Sequence, residues 1–337
     1  MLTDFSILII GIILLYIGSE LLVRGAASTA MLFSIRPVII GLTIVALATS
    51  APELLVSLVA AVKGSGNISV GNILGSNVIN IALVLGISAL IKPVEINRQI
   101  TKFEIPYMVF ASLVFWLLCL DGAIGYKDGI ILISMLIAFL IYGIKNAKDT
   151  KCTKDAKDAK DAKNNGNNKE NNKDINGHTE DKKNKLHAIL LNTAMLITGL
   201  TGLAKGADMV VTSAIHIATG IGLSQAFIGI SVVALGTSLP ELAASAVAAS
   251  KGESDISIGN IVGSNLFNIC LVMGTIGLLN PMKIDKTLLN FEFPIMFLIS
   301  IILFAIAFFN HRITRKTGFC FIVFFIIYLF FSYFKTL

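Results

Sequence analysis

The sequence predicts an all-α polytopic membrane protein whose ten transmembrane helices form two inverted five-helix repeats. Three observations carry this expectation: an apolar composition, ten long apolar stretches split five and five by a polar segment, and an internal duplication. Of the 337 residues, 55% are hydrophobic and only 14% charged. That balance lies well outside the range of an ordinary soluble domain and argues against a soluble enzyme. The charge that exists is concentrated. Residues 146–187 hold 11 of the 27 Lys and Arg and 8 of the 21 Asp and Glu, so the remainder is more apolar than the mean suggests. The net charge of +6 is spread among apolar runs with no basic face interleaved with aromatics, which excludes nucleic acid as a partner.

A hydrocarbon core about 30 Å thick needs roughly 20 apolar residues per helix. Such spans fall near 5–31, 38–62, 68–91, 104–121 and 128–145, then 187–219, 226–250, 256–279, 290–310 and 317–335. The first has the length of a signal sequence, but it opens with Asp4 instead of a basic segment and has a counterpart in the second half, so it is a structural helix. The domain organisation follows: 1–145 as the first repeat, 146–186 as a charged linker and 187–337 as the second repeat. The linker carries the iterated KDAKDAKDAK from Lys154 to Lys163 and then an Asn- and Lys-rich tract, too poor in apolar groups to offset chain entropy. It is expected to be disordered and to tether the halves. Arg24, Arg36, Lys92, Arg98, Lys102, Lys145, the linker lysines, Arg312, Arg315 and Lys316 share one side if both termini are external. Positive charge marks that side as cytoplasmic, although Lys63, Lys127, Lys205, Lys283, Lys286 and Lys335 run against it. The protein is thus expected in the cell membrane, with lipid as its surroundings. The four cysteines (Cys119, Cys152, Cys270, Cys320) lack the spacing of a zinc, redox or disulfide motif.

The duplication is direct. A shift of 188 places Gly41–Ile96 on Gly229–Ile284 without a gap, with 31 of 56 positions identical. The same shift pairs Gly18 with Gly206, Glu20 with Asp208, and FEIPYM (Phe103–Met108) with FEFPIM (Phe291–Met296). Five helices per copy is odd, so equivalent helices cross the bilayer in opposite senses. This is the inverted-repeat pattern of secondary transporters, with a site at the repeat interface near the midplane.

The most similar segments are also the most polar. ALATSAPE (Ala46–Glu53) and ALGTSLPE (Ala234–Glu241) each place an acid in an apolar run. An acid at the centre of a membrane helix costs about 2.5–3.5 kcal/mol, so Glu53 and Glu241 should face each other, water or a cation. Pro52 and Pro240 lack an amide hydrogen, which frees the carbonyls of Ala48 and Gly236 and predicts a kink in each helix. Thr49 and Ser50 precede Glu53 by four and three residues, and on a regular helix their hydroxyls share its face. Thr237 and Ser238 stand likewise to Glu241. In the second motif, Ser76 and Asn80 lie at i and i+4, as do Ser264 and Asn268, adding uncharged oxygens. Gly71, Gly75, Gly259 and Gly263 are expected to let helices approach closely. A set made only of hard oxygens suits Ca²⁺, with Na⁺ of similar size competing for the same ligands. Soft metals are disfavoured, because Cys270 and His216 have no matching partners.

These paired motifs, ALATSAPE with GNILGSNVIN and ALGTSLPE with GNIVGSNLFN, closely resemble the two alpha-repeats of the sodium/calcium exchangers, in the cation/calcium antiporter superfamily, of prokaryotic or archaeal type. The resemblance covers nearly all of both hydrophobic halves. It implies ten helices in two inverted halves, four central cation sites, and long first and sixth helices that slide to alternate access. Position by position it implies Glu53 and Glu241 as principal Ca²⁺ and Na⁺ ligands, with Thr49, Ser50, Thr237 and Ser238 adding oxygens. Ala46 and Ala234 would give backbone carbonyls, and Ser76, Asn80, Ser264 and Asn268 would complete the sites. Where archaeal relatives and the potassium-dependent branch can carry Asp, this chain has Asn268, so the pocket holds two formal negative charges; potassium co-transport and a proton-carrying role there are not expected. The implied activity is Na⁺/Ca²⁺ antiport without covalent chemistry, cofactor or required second chain. A Ca²⁺/H⁺ exchanger, a passive cation channel and a purely structural membrane protein are the rival expectations.

Overall fold

The computed structural model describes residues 2–33, 36–64, 66–143, 177–220 and 234–336. Among them, eight helices are long and apolar enough to span a bilayer, and a ninth span is a pair bent by 44° between Thr49 and Ala51. In chain order the helices are α1 (Leu2–Phe33), α2 (Pro37–Thr49), α3 (Ala51–Val62), α4 (Gly66–Ile91), α5 (Ile100–Asp121) and α6 (Tyr126–Gly143), followed by α7 (Gly177–Gly220), α8 (Ala234–Thr237), α9 (Leu239–Lys251), α10 (Ser254–Leu279), α11 (Leu288–Asn310) and α12 (Arg315–Thr336). The expected span at 226–250 is represented by α8 and α9, and its first residues lie outside the described set. So does most of the linker, with Cys152. Helix α7 begins at Gly177, ten residues before the expected start, since no Pro or Gly interrupts the polar stretch leading into it.

Burial separates the spans into a centre and a shell. In α4 and α10, 78% and 83% of the most apolar window is buried, against 17–39% for the other unbroken spans. These two carry the buried Ser and Asn side chains of the second motif, and the other spans cover them, turning exposed Ile, Leu and Phe side chains outward.

Contacts between the halves follow the pseudo-two-fold axis. Helix α1 runs against α7, and a Cβ added to Gly18 would lie 2.7 Å from Leu203 N and 2.9 Å from Gly199 O. Gly11 faces Gly206, and Gly25 faces Asn192, so contacts ascend along one helix as they descend along the other. Equivalent helices are therefore antiparallel. The same orientation brings His216, near the end of α7, to 3.2 Å from Asp4 at the start of α1. Close glycine approaches also join α4 to α12, through Gly86 and Gly318, and α10 to α6, through Gly274 and Gly129. Two short ribbons repeat the exchange: β1 (Val94–Glu95) pairs with β4 (Arg312–Ile313), and β2 (Ala123–Ile124) with β3 (Met282–Lys283). Each joins a loop of one half to a loop of the other.

Some starts differ from expectation. Helices α5 and α11 open with π-helical turns at Ile100–Glu104 and Leu288–Glu292, four and two residues before the expected starts at 104 and 290. Gly64 and Gly252 end α3 and α9 with φ of +77° and +83°, a left-handed cap that favours glycine. Of the expected packing glycines, Gly259 and Gly263 lie close against α2, where an added Cβ would come within 2.6–2.7 Å of Val38 O, Leu42 O and Ala46 Cβ. Gly71 and Gly75 make no such approach among the described residues: an added Cβ would lie 3.9 Å from Leu288 Cδ2 and 3.8 Å from the Tyr328 hydroxyl. Cys119 and Cys270 are buried free thiols and Cys320 is an exposed one.

Because α1 and α7 touch backbone to backbone, Gly18→Ala should force them apart at a cost of about 1–3 kcal/mol, the usual penalty for overpacking. Gly143→Ala, which meets nothing within 4 Å, is the control. Thermal unfolding in detergent is expected to show a lower Tm for the first and an unchanged or slightly higher Tm for the second.

Candidate cation site

The breaks at the ALATSAPE and ALGTSLPE motifs build the site. Ser50 (φ −82°, ψ 3°) and Ser238 (φ −90°, ψ 5°) leave helical geometry, and Pro52 and Pro240 open the next helix, where a missing amide hydrogen costs nothing. Glu53 and Glu241 consequently fall in the first turns of α3 and α9. The positive end of a helix dipole favours a carboxylate there. Both glutamates are fully buried.

The break also corrects the expectation that Thr49 and Ser50 share the face of Glu53. Ser50 Oγ instead donates across the repeat interface to Glu241 Oε1 at 3.2 Å, and Ser238 Oγ donates to Glu53 Oε1 at 3.4 Å. Thr49 Oγ1 turns to Asn260 Oδ1 at 3.2 Å and lies 3.4 Å from Ser264 Oγ. The physical reason is that a continuous helix would stack these hydroxyls below the acid, whereas a non-helical residue between them swings the preceding turn toward the partner half. Each acid is thus bonded by the other's helix.

The second motif closes the ring. Ser76 Oγ donates to Glu53 Oε1 at 3.3 Å and lies 3.1 Å from Ser238 Oγ, while Ser264 Oγ reaches Glu241 Oε1 at 3.5 Å. Asn80 Nδ2 donates to Asn265 Oδ1 at 3.1 Å, and Asn268 Nδ2 donates to Asn77 Oδ1 at 3.3 Å and to Ser76 Oγ at 3.2 Å. Asn80 stands at the opening of a π-helical turn, Asn80–Val84, and Asn268 lies within another, Phe267–Met273. Such turns are common at functional sites, since they re-aim side chains within a helix.

Four buried oxygens in this ring have no hydrogen-bond partner: Glu53 Oε2, Glu241 Oε2, Asn80 Oδ1 and Asn268 Oδ1. They form two symmetry-related pairs, one carboxylate and one amide from each half. Leaving such groups unsatisfied in an apolar interior is costly, and native structures usually satisfy them with water, an ion or another ligand. Among the described residues no group of three or more His, Cys, Asp and Glu could hold a metal ion, so the formal charge of the pocket rests on the two glutamates.

Of the expected site residues, the structure brings together Glu53, Glu241, Thr49, Ser50, Ser238, Ser76, Asn80, Ser264 and Asn268. Thr237 is buried beside Ser238 in the same motif. The Ala46 carbonyl already accepts the Ser50 amide at 2.9 Å and the Thr49 hydroxyl at 3.3 Å. Ala234 opens α8, the short helix before the second break.

Sequence reasoning passed over residues within the same motifs. Asn72 Nδ2 bonds Ser57 Oγ at 3.0 Å and Asn260 Nδ2 bonds Ser245 Oγ at 2.9 Å, tying α4 to α3 and α10 to α9. Asn77 and Asn265 were also passed over, and each sends its amide hydrogen to a methionine sulfur, Met296 and Met108 respectively, at 3.5 Å. Their signal was the duplication itself, which keeps polar residues at positions no ligand argument required.

A family model for sodium/calcium exchanger protein matches residues 3–145 and 191–334, one match in each half. The sodium/calcium exchanger MaX1 of Methanosarcina acetivorans is 31% identical over 97% of this chain and 97% of its own length. The inner membrane protein YrbG of Escherichia coli is 32% identical over 90% of this chain and 88% of its own. Among solved structures, the sodium-calcium exchanger NCX_Mj soaked with 2.5 mM Na⁺ and 0.1 mM Ca²⁺ superposes with a TM-score of 0.78 at 29% identity, covering 96% of this chain and 97% of that one. With matches across both halves, the chain is an integral membrane ion exchanger and belongs to the sodium/calcium exchanger family.

Proposed function

We propose that the protein exchanges Na⁺ for Ca²⁺ by alternating access, with both cations using one central pocket. The observation that carries this reading is the set of four unpartnered buried oxygens, Glu53 Oε2, Glu241 Oε2, Asn80 Oδ1 and Asn268 Oδ1. Two carboxylates balance one Ca²⁺, and the six to eight oxygens that Ca²⁺ takes can be drawn from these four together with the nearby hydroxyls of Ser50, Ser76, Ser238, Ser264, Thr49 and Thr237. Carbonyls of Ala46 and Ala234, one turn before the breaks at Ser50 and Ser238, are further oxygens for a weakly charged ion such as Na⁺. Sharing one ligand set makes the two cations exclusive, and exclusivity is what couples their fluxes. The known relatives support the same assignment, since MaX1 is named as a sodium/calcium exchanger and NCX_Mj was studied with Na⁺, Ca²⁺ and Sr²⁺.

The charge count has a consequence. If three Na⁺ replace one Ca²⁺, the two-carboxylate pocket is left with one excess positive charge and exchange is electrogenic. Each such charge carried across the membrane is worth about 2.3 kcal/mol per 100 mV, enough to set direction in a polarised cell. The extended glycine contact between α1 and α7 holds these two helices backbone to backbone, which suits a pair that moves as one against the rest of the molecule. Orientation is proposed from the positive charges: linker on the cytoplasmic side, both termini outside.

The deciding test is isotopic calcium uptake into proteoliposomes under separately imposed Na⁺, K⁺ and H⁺ gradients. An opposed Na⁺ gradient is expected to drive saturable uptake, and the other two are not. Uptake driven by a pH gradient without Na⁺ would assign a Ca²⁺/H⁺ exchanger, and flux that persists without any counter-ion would assign a channel. Glu53→Gln and Glu241→Gln each remove half the negative charge from a buried site, a loss on the order of 3 kcal/mol that corresponds to about 100-fold in apparent Ca²⁺ affinity. Normal exchange in both variants contradicts the ligand assignment.

A further inference from the structure

Two methionines outside the ligand ring touch it at equivalent places. Met296 of α11 accepts Asn77 Nδ2 and Met108 of α5 accepts Asn265 Nδ2, each at 3.5 Å, and both sulfurs are fully buried. A thioether accepts a hydrogen bond and has nothing to donate. Only the amino end of each asparagine amide can therefore face the sulfur, and the carbonyl end must face the other way. On that other side Asn77 Oδ1 accepts Asn268 Nδ2 at 3.3 Å, and Asn265 Oδ1 accepts Asn80 Nδ2 at 3.1 Å. The polarity is passed along: with their amino groups held, Asn268 and Asn80 keep their oxygens free, and these are the two amide oxygens without a partner.

We propose that Met108 and Met296 are positioning residues of the cation pocket, fixing the direction of two relayed amides so that Asn80 and Asn268 present oxygen, not NH₂, to the ion. The proposal rests on the exchange reading above. Without the sulfur, either orientation of the Asn77–Asn268 pair keeps one hydrogen bond, and the reversed one turns an N–H toward the cation. The chain at Asn268 has a second anchor, because Ser76 Oγ donates to Glu53 and so must accept from Asn268 Nδ2 at 3.2 Å. Among the described residues Asn80 is held through Asn265 alone. The Met108 relay is thus the more sensitive of the two. An aspartate at either relayed position would need no such device, since its two oxygens are equivalent acceptors.

The test is calcium uptake in proteoliposomes carrying Met108→Leu, Met296→Leu, Asn268→Asp and the double variant Met296→Leu/Asn268→Asp, with Glu53→Gln alongside. Leucine conserves volume, so packing is retained. Met108→Leu is expected to raise the KM for Ca²⁺ between about twofold and tenfold, the usual worth of one neutral hydrogen bond, with maximal rate and Tm unchanged. Met296→Leu should raise it less. In the Asn268→Asp background Asn77 must give its amino group to the carboxylate and turn its oxygen toward the sulfur, so Met296→Leu should no longer raise the KM there. An unchanged KM in both single variants overturns the proposal, as does an equal rise from Met296→Leu in both backgrounds, which would mark a packing role. Glu53→Gln reports separately on the pocket itself: loss of uptake there shows that calcium uses the pocket, and normal uptake contradicts the exchange reading, whatever the methionine variants do.

Discussion

Two carboxylates are buried where the surroundings are hydrocarbon and packed side chains, and the rest of the molecule is arranged around what that requires. An isolated acid at that depth is expensive, and two near one another are more so. The protein meets part of the cost with hydroxyls, since each glutamate accepts from the serine at the helix break of the opposite half and from the serine of an adjacent inner helix. The first turn of a helix beneath each acid supplies a favourable dipole. One oxygen of each carboxylate is still left over. The remaining deficit is one that a cation removes.

That requirement explains the architecture. A hydroxyl can reach the opposite acid only if the preceding turn swings off the helix axis, which a proline placed two residues after Ser50 or Ser238 permits. The two breaks meet only if the halves are inverted, and the inverted packing is secured where backbones come together at glycines along α1 and α7, α4 and α12, and α6 and α10. The reciprocal ribbons, β1 with β4 and β2 with β3, tie the loops of one half to those of the other. Helices α4 and α10 lie at the centre with their Ser and Asn side chains buried, and the outer helices turn most of their apolar surface outward.

Much of this was legible in the sequence. Apolar length located the spans, and the shift of 188 gave the inversion and the pairing of the motifs, because a duplicated five-helix unit has only one way to reverse its sense. The site residues were legible because charge and amide groups in a membrane helix are costly and so stand out. What local periodicity missed lies at departures from regular helix. Thr49 and Ser50 point across the interface because Ser50 is not helical, and no i, i+4 argument survives that break. The π-helical openings of α5 and α11 each hold an acid, Glu104 and Glu292, and for α5 also Thr101 and Lys102, so an apolar window does not fix where they begin. Met108 and Met296 are apolar by any scale, and their part in the ring depends on a neighbour more than 150 residues away.

The central claim is that both halves contribute oxygens to a single ion. Diffraction from crystals soaked in Sr²⁺, read by its anomalous signal, tests it most directly. A peak within coordination distance of both Glu53 Oε2 and Glu241 Oε2 is the result this account predicts. A peak bound to one glutamate alone, or one elsewhere with the central pocket filled only by water, would contradict it.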